Sequence, residues 1–232
     1  MNVTPDSIIY FQWGFITINA TIVFTWVVMV VIVTGALTAT VKLQPGTVPG
    51  RWQSFLETVV GFMRGQVRDV MDRNPDSFLP FLGTLFLLIS VSNFLTFVPG
   101  YHPPTGSLST TAALAMCVFF AVPVFGIAHR GFGGYFKHYI QPSVFMLPFH
   151  IIGEFSRTLS MAVRLFGNIM SGSLIAGVLI SLAPLFVPII MEMFGLLIGQ
   201  IQAYIFFILA TVYVASSSRT SDAAESHQEK EE

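Results

Sequence analysis

Arg164 is a charge inside an apolar run: between Arg157 and Glu192 there is no other charged residue. A guanidinium keeps its proton under all working conditions, because its pKa exceeds about 12. Ionisable groups at membrane depth are costly and are functional suspects by default. Glu154, Arg157, Met161, Arg164, Asn168, Ser171 and Ile175 step by three or four residues, which places them on one stripe of one helix. Glu154 and Arg157 lie near one end, where side chains of this kind snorkel to the interface. Arg164 is deeper, about 27 Å from Met146 at about 1.5 Å per residue. No acid lies within four residues of it, and Glu154 is about 15 Å away by helical rise. Two acceptors remain open. One is Glu192, in a structural ion pair. The other is a carboxylate on another subunit, which would leave Arg164 as a fixed charge beside a mobile partner.

A second stripe joins Glu192, Gly195, Gly199, Gln202 and Phe206. Small residues four apart permit close helix approach. The Gln202 amide, set among apolar residues, requires a partner or water. Gln200 lies off this stripe. Together the two stripes suggest two helices sharing a polar seam.

The elements carrying these residues follow from composition. The chain has 232 residues, 53% hydrophobic and 10% charged, against about 25% charged in soluble domains. Mean hydropathy is +0.73. These values exclude a disordered chain and a disulfide scaffold, and predict an all-α polytopic membrane protein. The net charge of −1 offers no nucleic-acid patch. The single cysteine, Cys117, reads as a buried thiol and excludes an internal disulfide.

Residues 15–40 hold no charge and form the first span; the run is too long, and its flank too poor in Lys and Arg, for a cleaved signal. Residues 50–74 are charged, yet Trp52, Phe55, Val59, Phe62, Met63, Val67 and Val70 recur at helical spacing, as in an amphipathic surface helix. From Ser77 to Ala128 there is no charge, and Pro99, Gly100, Pro103, Pro104 and Gly106 divide the stretch into a hairpin of helices, 78–98 and 107–128. Residues 129–138 read as a polar connection. Two long helices follow, 146–182 and 188–215, then a tail, 216–232, whose composition predicts disorder. The first of these would be about 55 Å long against about 30 Å of hydrocarbon, so it must tilt strongly or lie partly at the surface. The whole reads as a single membrane domain with five spans. Lys and Arg place the N-terminus outside and the C-terminus inside, since the connections 99–106 and 183–187 carry neither.

At Arg164 the chain reads Arg-Leu-Phe-Gly-Asn (164–168), and this resembles subunit a of the F-type ATP synthases. Gln-Ala-Tyr-Ile-Phe (202–206), Thr-Val-Tyr (211–213), Leu-Pro-Phe-Leu-Gly-Thr-Leu-Phe (79–86) and Ser-Asn-Phe-Leu (92–95) extend the resemblance over about residues 10–215. Residues 99–111 and 167–172 look like the alternate branch called N-ATPases, thought to be mainly sodium-translocating. The resemblance implies a stator that packs two tilted helices against a rotating ring of c subunits. Each c subunit carries an essential carboxylate, and two ion half-channels flank the contact. It implies b-type peripheral stalk subunits as further partners, a bacterial or archaeal inner or plasma membrane location, and H+ or Na+ as the transported ion. The family's essential arginine maps onto Arg164. Asn168 and Gln202 map onto channel-side positions, Asn93 and Thr96 near the outer access route. Ser171, Glu154 and Arg157 share the Arg164 stripe.

Two positions depart from the family pattern. Ser173 stands where many relatives have an acid, and Gly195 where some proton-translocating relatives have a histidine. Glu192 is the nearby acid that could serve the outer half-channel; a structural or interfacial role is the alternative. No cofactor or metal is expected, because His102, His129, His138 and His150 are scattered. No Gly-Lys-Ser/Thr phosphate loop occurs, so ATP chemistry would belong to other subunits. A secondary transporter or channel acting alone is the competing reading, although no internal repeat is visible. An integral-membrane enzyme would need a catalytic cluster, and none is evident.

Overall fold

A computed structural model describes residues 6, 9–13, 16–40, 50–71, 75–98, 100–140, 146–182 and 187–228. Six long helices dominate it: α1 (Ala20–Thr40), α2 (Arg51–Val70), α3 (Leu79–Phe94), α4 (Leu108–Ile140), α5 (Met146–Leu182) and α6 (Val187–Gln228). Five of them contain segments long and apolar enough to cross a membrane: Ala20–Thr38, Leu79–Phe97, Leu108–Ala128, Ile152–Leu179 and Ile189–Ser216. The fold is that of an all-α polytopic membrane protein.

Several boundaries differ from those expected. The first helix begins at Ala20 rather than at residue 15, because Ile16–Asn19 (β2) pairs antiparallel with Ile9–Trp13 (β1). β-branched Ile16, Thr17 and Ile18 suit such a ribbon. α2 stops at Val70, short of residue 74, where Met71 turns extended ahead of Pro75. α4 runs through the expected polar connection to Ile140. Phe132, Tyr135, Phe136 and Tyr139 keep helical spacing there, and glycine costs a helix only about 1 kcal/mol each. The tail expected to be disordered is helical to Gln228, and no proline or glycine interrupts it. Cys117, expected to be buried, is exposed on α4.

The apolar core joins α2 (Met63, Val67), α3 (Phe78 at its start, Leu82, Leu85, Ile89), α4 (Leu114, Val118, Val122), α5 (Met161, Leu165) and α6 (Ala203, Phe206, Phe207, Ala210, Val214). Aromatic pairs stitch it together, with Phe78 on Phe125 at 5.0 Å and Phe86 on Phe207 at 5.6 Å. The amphipathic α2 docks on α6, where the Tyr204 hydroxyl donates to Gln66 Oε1 at 2.7 Å and Phe62 lies against the ring of Tyr204. At the opposite end Asp6 accepts hydrogen bonds from Thr21 at the start of α1 and Ser107 before α4. Its carboxylate thereby ties the N-terminal segment to two spans.

Candidate functional site

α5 and α6 are successive helices joined through residues 183–186, so they run antiparallel. One contact sets their register: the Arg157 guanidinium carbon lies 5.7 Å from the Tyr213 ring centroid. Seven residues along α5 from Arg157 is Arg164; seven residues back along α6 from Tyr213 is Phe206, at the same level. Asn168 and Gln202 stand at equal distances beyond these, eleven residues from Arg157 and Tyr213 respectively. Eleven residues return a helix to within about 20° of the same face. The two amides therefore share both a level and a facing direction.

Glu192 is fourteen residues from Phe206, about 21 Å farther along the axis. The structural ion pair between Arg164 and Glu192 is thus ruled out. Both side chains are exposed on the surface of the chain, and neither makes an ion pair or hydrogen bond with another described residue. Arg164 sits at the edge between the buried face of α5 (Thr158, Met161, Ala162, Leu165) and an open face that includes Ser160 and Val163. Asn168 is half-buried. Ser171 and Ser173 are exposed, and each hydroxyl folds back onto its own helix, donating to Asn168 O at 3.1 Å and Met170 O at 2.9 Å. This back-bonding leaves both hydroxyl oxygens accepting-competent toward solvent or a neighbour.

At the other end of the stripe, Glu154, Arg157 and Thr158 line a cavity of about 20 Å³ with Val118, Phe119, Val122, Tyr213 and Ser216. That volume holds about one water. Pro123 inside α4 removes the N–H that would bond the Phe119 carbonyl, a polar atom on a residue of the same cavity.

Of the α6 stripe, Glu192 and Gly195 are exposed, whereas Gly199, Gln202 and Phe206 are buried. Gln202 is 6% exposed, and no described residue hydrogen-bonds its amide. Asn93 and Thr96 separate. Thr96 is exposed, whereas Asn93 is buried and its Nδ2 donates to Gly199 O at 2.8 Å. Next to it, Ser90 Oγ donates to Gln200 Oε1 at 2.6 Å and Gln200 Nε2 donates to Ser90 O at 3.0 Å. Stripe counting on α6 alone missed Ser90 and Gln200. The available signal was Ser90 and Asn93 three apart on α3, facing a Gly-Gln step in an otherwise apolar helix.

Beyond α3 the Ser92 hydroxyl approaches Tyr101 Oη at 3.3 Å and Thr105 Oγ1 at 3.5 Å. Burial pushes the Tyr101 phenol up to about 12, partly offset by the Ser92 hydrogen bond. Among the described residues no cluster of His, Cys, Asp and Glu could hold a metal ion.

The site is thus an arginine within a span, without a partner among the described residues, with the Asn168 and Gln202 amides one turn beyond it. The sequence model of the family described as ATP synthase A chain matches residues 22–215. The chain belongs to that family. It is 53% identical to ATP synthase subunit a 2 of Acaryochloris marina over 219 residues, covering 94% of each chain. It is 56% identical to ATP synthase subunit a 1 of Crocosphaera subtropica, over 93% of this chain and 94% of that one. It is 55% identical to ATP synthase subunit a of Albidiferax ferrireducens, over 94% and 95%. Membership carries an ion-translocating role in the membrane sector.

Proposed function

We propose that this chain is the stator of a rotary ATP synthase or ATPase, forming two half-channels against a c-ring and turning H+ or Na+ flow into rotation. The observation that supports this reading is Arg164: a permanent charge within a span, exposed on α5, with no acceptor among the described residues. A ring carboxylate supplies the acceptor. It must be neutral, protonated or sodium-bound, to face lipid. Beside Arg164 its ionised form is favoured, because a positive charge within about 4–6 Å lowers a carboxylate pKa by about 1–3 units. The ion is released there, and the same charge repels cations and blocks leakage between the half-channels. A membrane potential contributes about 2.3 kcal/mol per charge per 100 mV.

Asn168 and Gln202, level with one another, form the polar station beside Arg164. Glu154, Arg157 and the adjoining cavity lie toward the inner half-channel; Ser171, Ser173 and Glu192 lie toward the outer one, with Thr96 near its access route. The N-terminus faces outside and the C-terminus the cytoplasm, as the Lys and Arg distribution favours. α5 and α6 run tilted past the ring, and a b-type peripheral stalk holds the chain still. The wording of residues 99–111 and 167–172 favours the N-ATPase branch, while the choice of H+ or Na+ rests largely on the ring's own ligands.

The test uses the purified complex in proteoliposomes. A complex prepared without this chain is expected to hydrolyse ATP and move no ion; ion uptake by it would overturn the stator reading. In the full complex, ATP-driven sodium-22 uptake that persists with a protonophore identifies sodium. Protonophore-sensitive acidification without sodium uptake identifies protons and removes the N-ATPase assignment.

A further inference from the structure

We propose that Gln200 and Ser90, with Asn93 and Gly199, are a positioning device that aims Gln202 at α5 and so acts on ion transfer through Gln202. The inference rests on the stator reading above. Three hydrogen bonds join α3 to α6 at one level: Ser90 Oγ to Gln200 Oε1, Gln200 Nε2 to Ser90 O, and Asn93 Nδ2 to Gly199 O. Ser90 and Asn93 are 8% and 5% exposed and Gln200 is half-buried, so the Asn93 bond is buried and the Ser90–Gln200 pair partly so. A Cβ on residue 199 would lie 3.0 Å from the Asn93 amide, so any side chain there would press on it.

Helical geometry turns this lock into an orientation. Gly199 and Gln200 straddle the direction of α3. Gln202 then lies about 110° around α6 from that direction, at about 100° per residue. The side of α6 facing α5 is marked independently by Tyr213, which carries the Arg157 guanidinium. Gln202 falls within about 20° of Tyr213 around the axis. Fixing Gln200 on α3 therefore fixes Gln202 toward α5, at the level of Asn168.

The lock adds to the two other polar contacts that orient α6, Tyr204 on Gln66 and Arg157 on Tyr213. Its remaining contacts are largely between apolar side chains, and lipid is as apolar as they are. A turn of α6 by one residue would exchange one greasy ridge for another. It would, however, separate the Gln200 and Asn93 amides from their partners on α3. Gln202, buried without a described partner, does not hold its own orientation.

The experiment measures ATP-driven ion uptake by the whole complex in proteoliposomes, normalised to this chain's content. Gln200→Leu is expected to lower the rate about tenfold, in line with the cost of misplacing a positioned group. Ser90→Ala, which deletes one oxygen, is expected to lower it less, and Ser90→Thr to recover most of that loss. In a Gln202→Asn background, Gln200→Leu should add little further loss, because it acts through Gln202. Independent multiplication of the two losses would show a merely structural role and overturn the proposal. So would uptake by Gln200→Leu within about twofold of the parent. Arg164→Ala is run in parallel. If it still pumps, the stator reading fails; if it stops while Gln200→Leu pumps normally, the positioning inference alone fails.

Discussion

Between α3 and α6, polar groups in the spans are answered within the chain: Ser90 meets Gln200, and Asn93 meets the Gly199 carbonyl. On α5, Arg164 is left open, exposed and without a described partner. The two regions occupy the same bundle and obey the same rule, that polar atoms in an apolar medium must be satisfied. The difference lies in where the satisfaction comes from. A neutral amide is satisfied by a neighbouring helix and holds that helix in place. The permanent charge has no acceptor at its level among the described residues, since Glu192 lies about 21 Å beyond it, and the stator reading supplies one from the ring.

Substitutions at the seam should therefore lower stability as well as transport, and substitutions at the open charge should damage only transport. The largest structural effect is expected for Gly199→Leu, whose side chain would be driven into Asn93. It should prevent stable accumulation of the chain, measured as its amount in membranes. Asn93→Leu should come next, lowering stability by about 1–3 kcal/mol in detergent unfolding, since it removes a buried bond and adds bulk. Tyr204→Phe loses only the bond to Gln66 and should cost about 0.5–1.5 kcal/mol, read in the same assay.

Arg164→Ala should leave the unfolding transition of the isolated chain unchanged; a marked loss of stability would mean that the charge is structural after all. The smallest effect concerns Tyr101. Its phenol titrates higher folded than unfolded, about 12 against 10.0, so the folded state holds the proton more tightly. Stability is thus unaffected below about pH 10 and falls as pH rises from there toward about 12. Tyr101→Phe should remove that slope in a pH series of unfolding transitions.

Much of the site was legible in the sequence because charge is rare in a span. Arg164 and its stripe could be read from spacing alone, and so could the five apolar segments. Other features depend on contacts between distant segments. Gln200 lies off the α6 stripe, and its partner, Ser90, is 110 residues away on α3, beyond the reach of helical spacing. The Arg164–Glu192 pair looked open because one-dimensional spacing does not give the antiparallel register, which Arg157 on Tyr213 supplies. The helical continuations to Ile140 and Gln228 contradict a composition argument. Polar residues do not end a helix by themselves; proline or a positive-φ cap does, and residues 217–228 contain neither proline nor glycine.

The most direct test of the account is ATP-driven ion transport by complexes carrying Arg164→Ala, with assembly matched to the parent by the ratio of this chain to the ring. The account predicts a normally assembled complex whose ATP-driven transport is at background. Transport near the parental rate would contradict it, because a stator without its fixed charge would then still release ions from the ring.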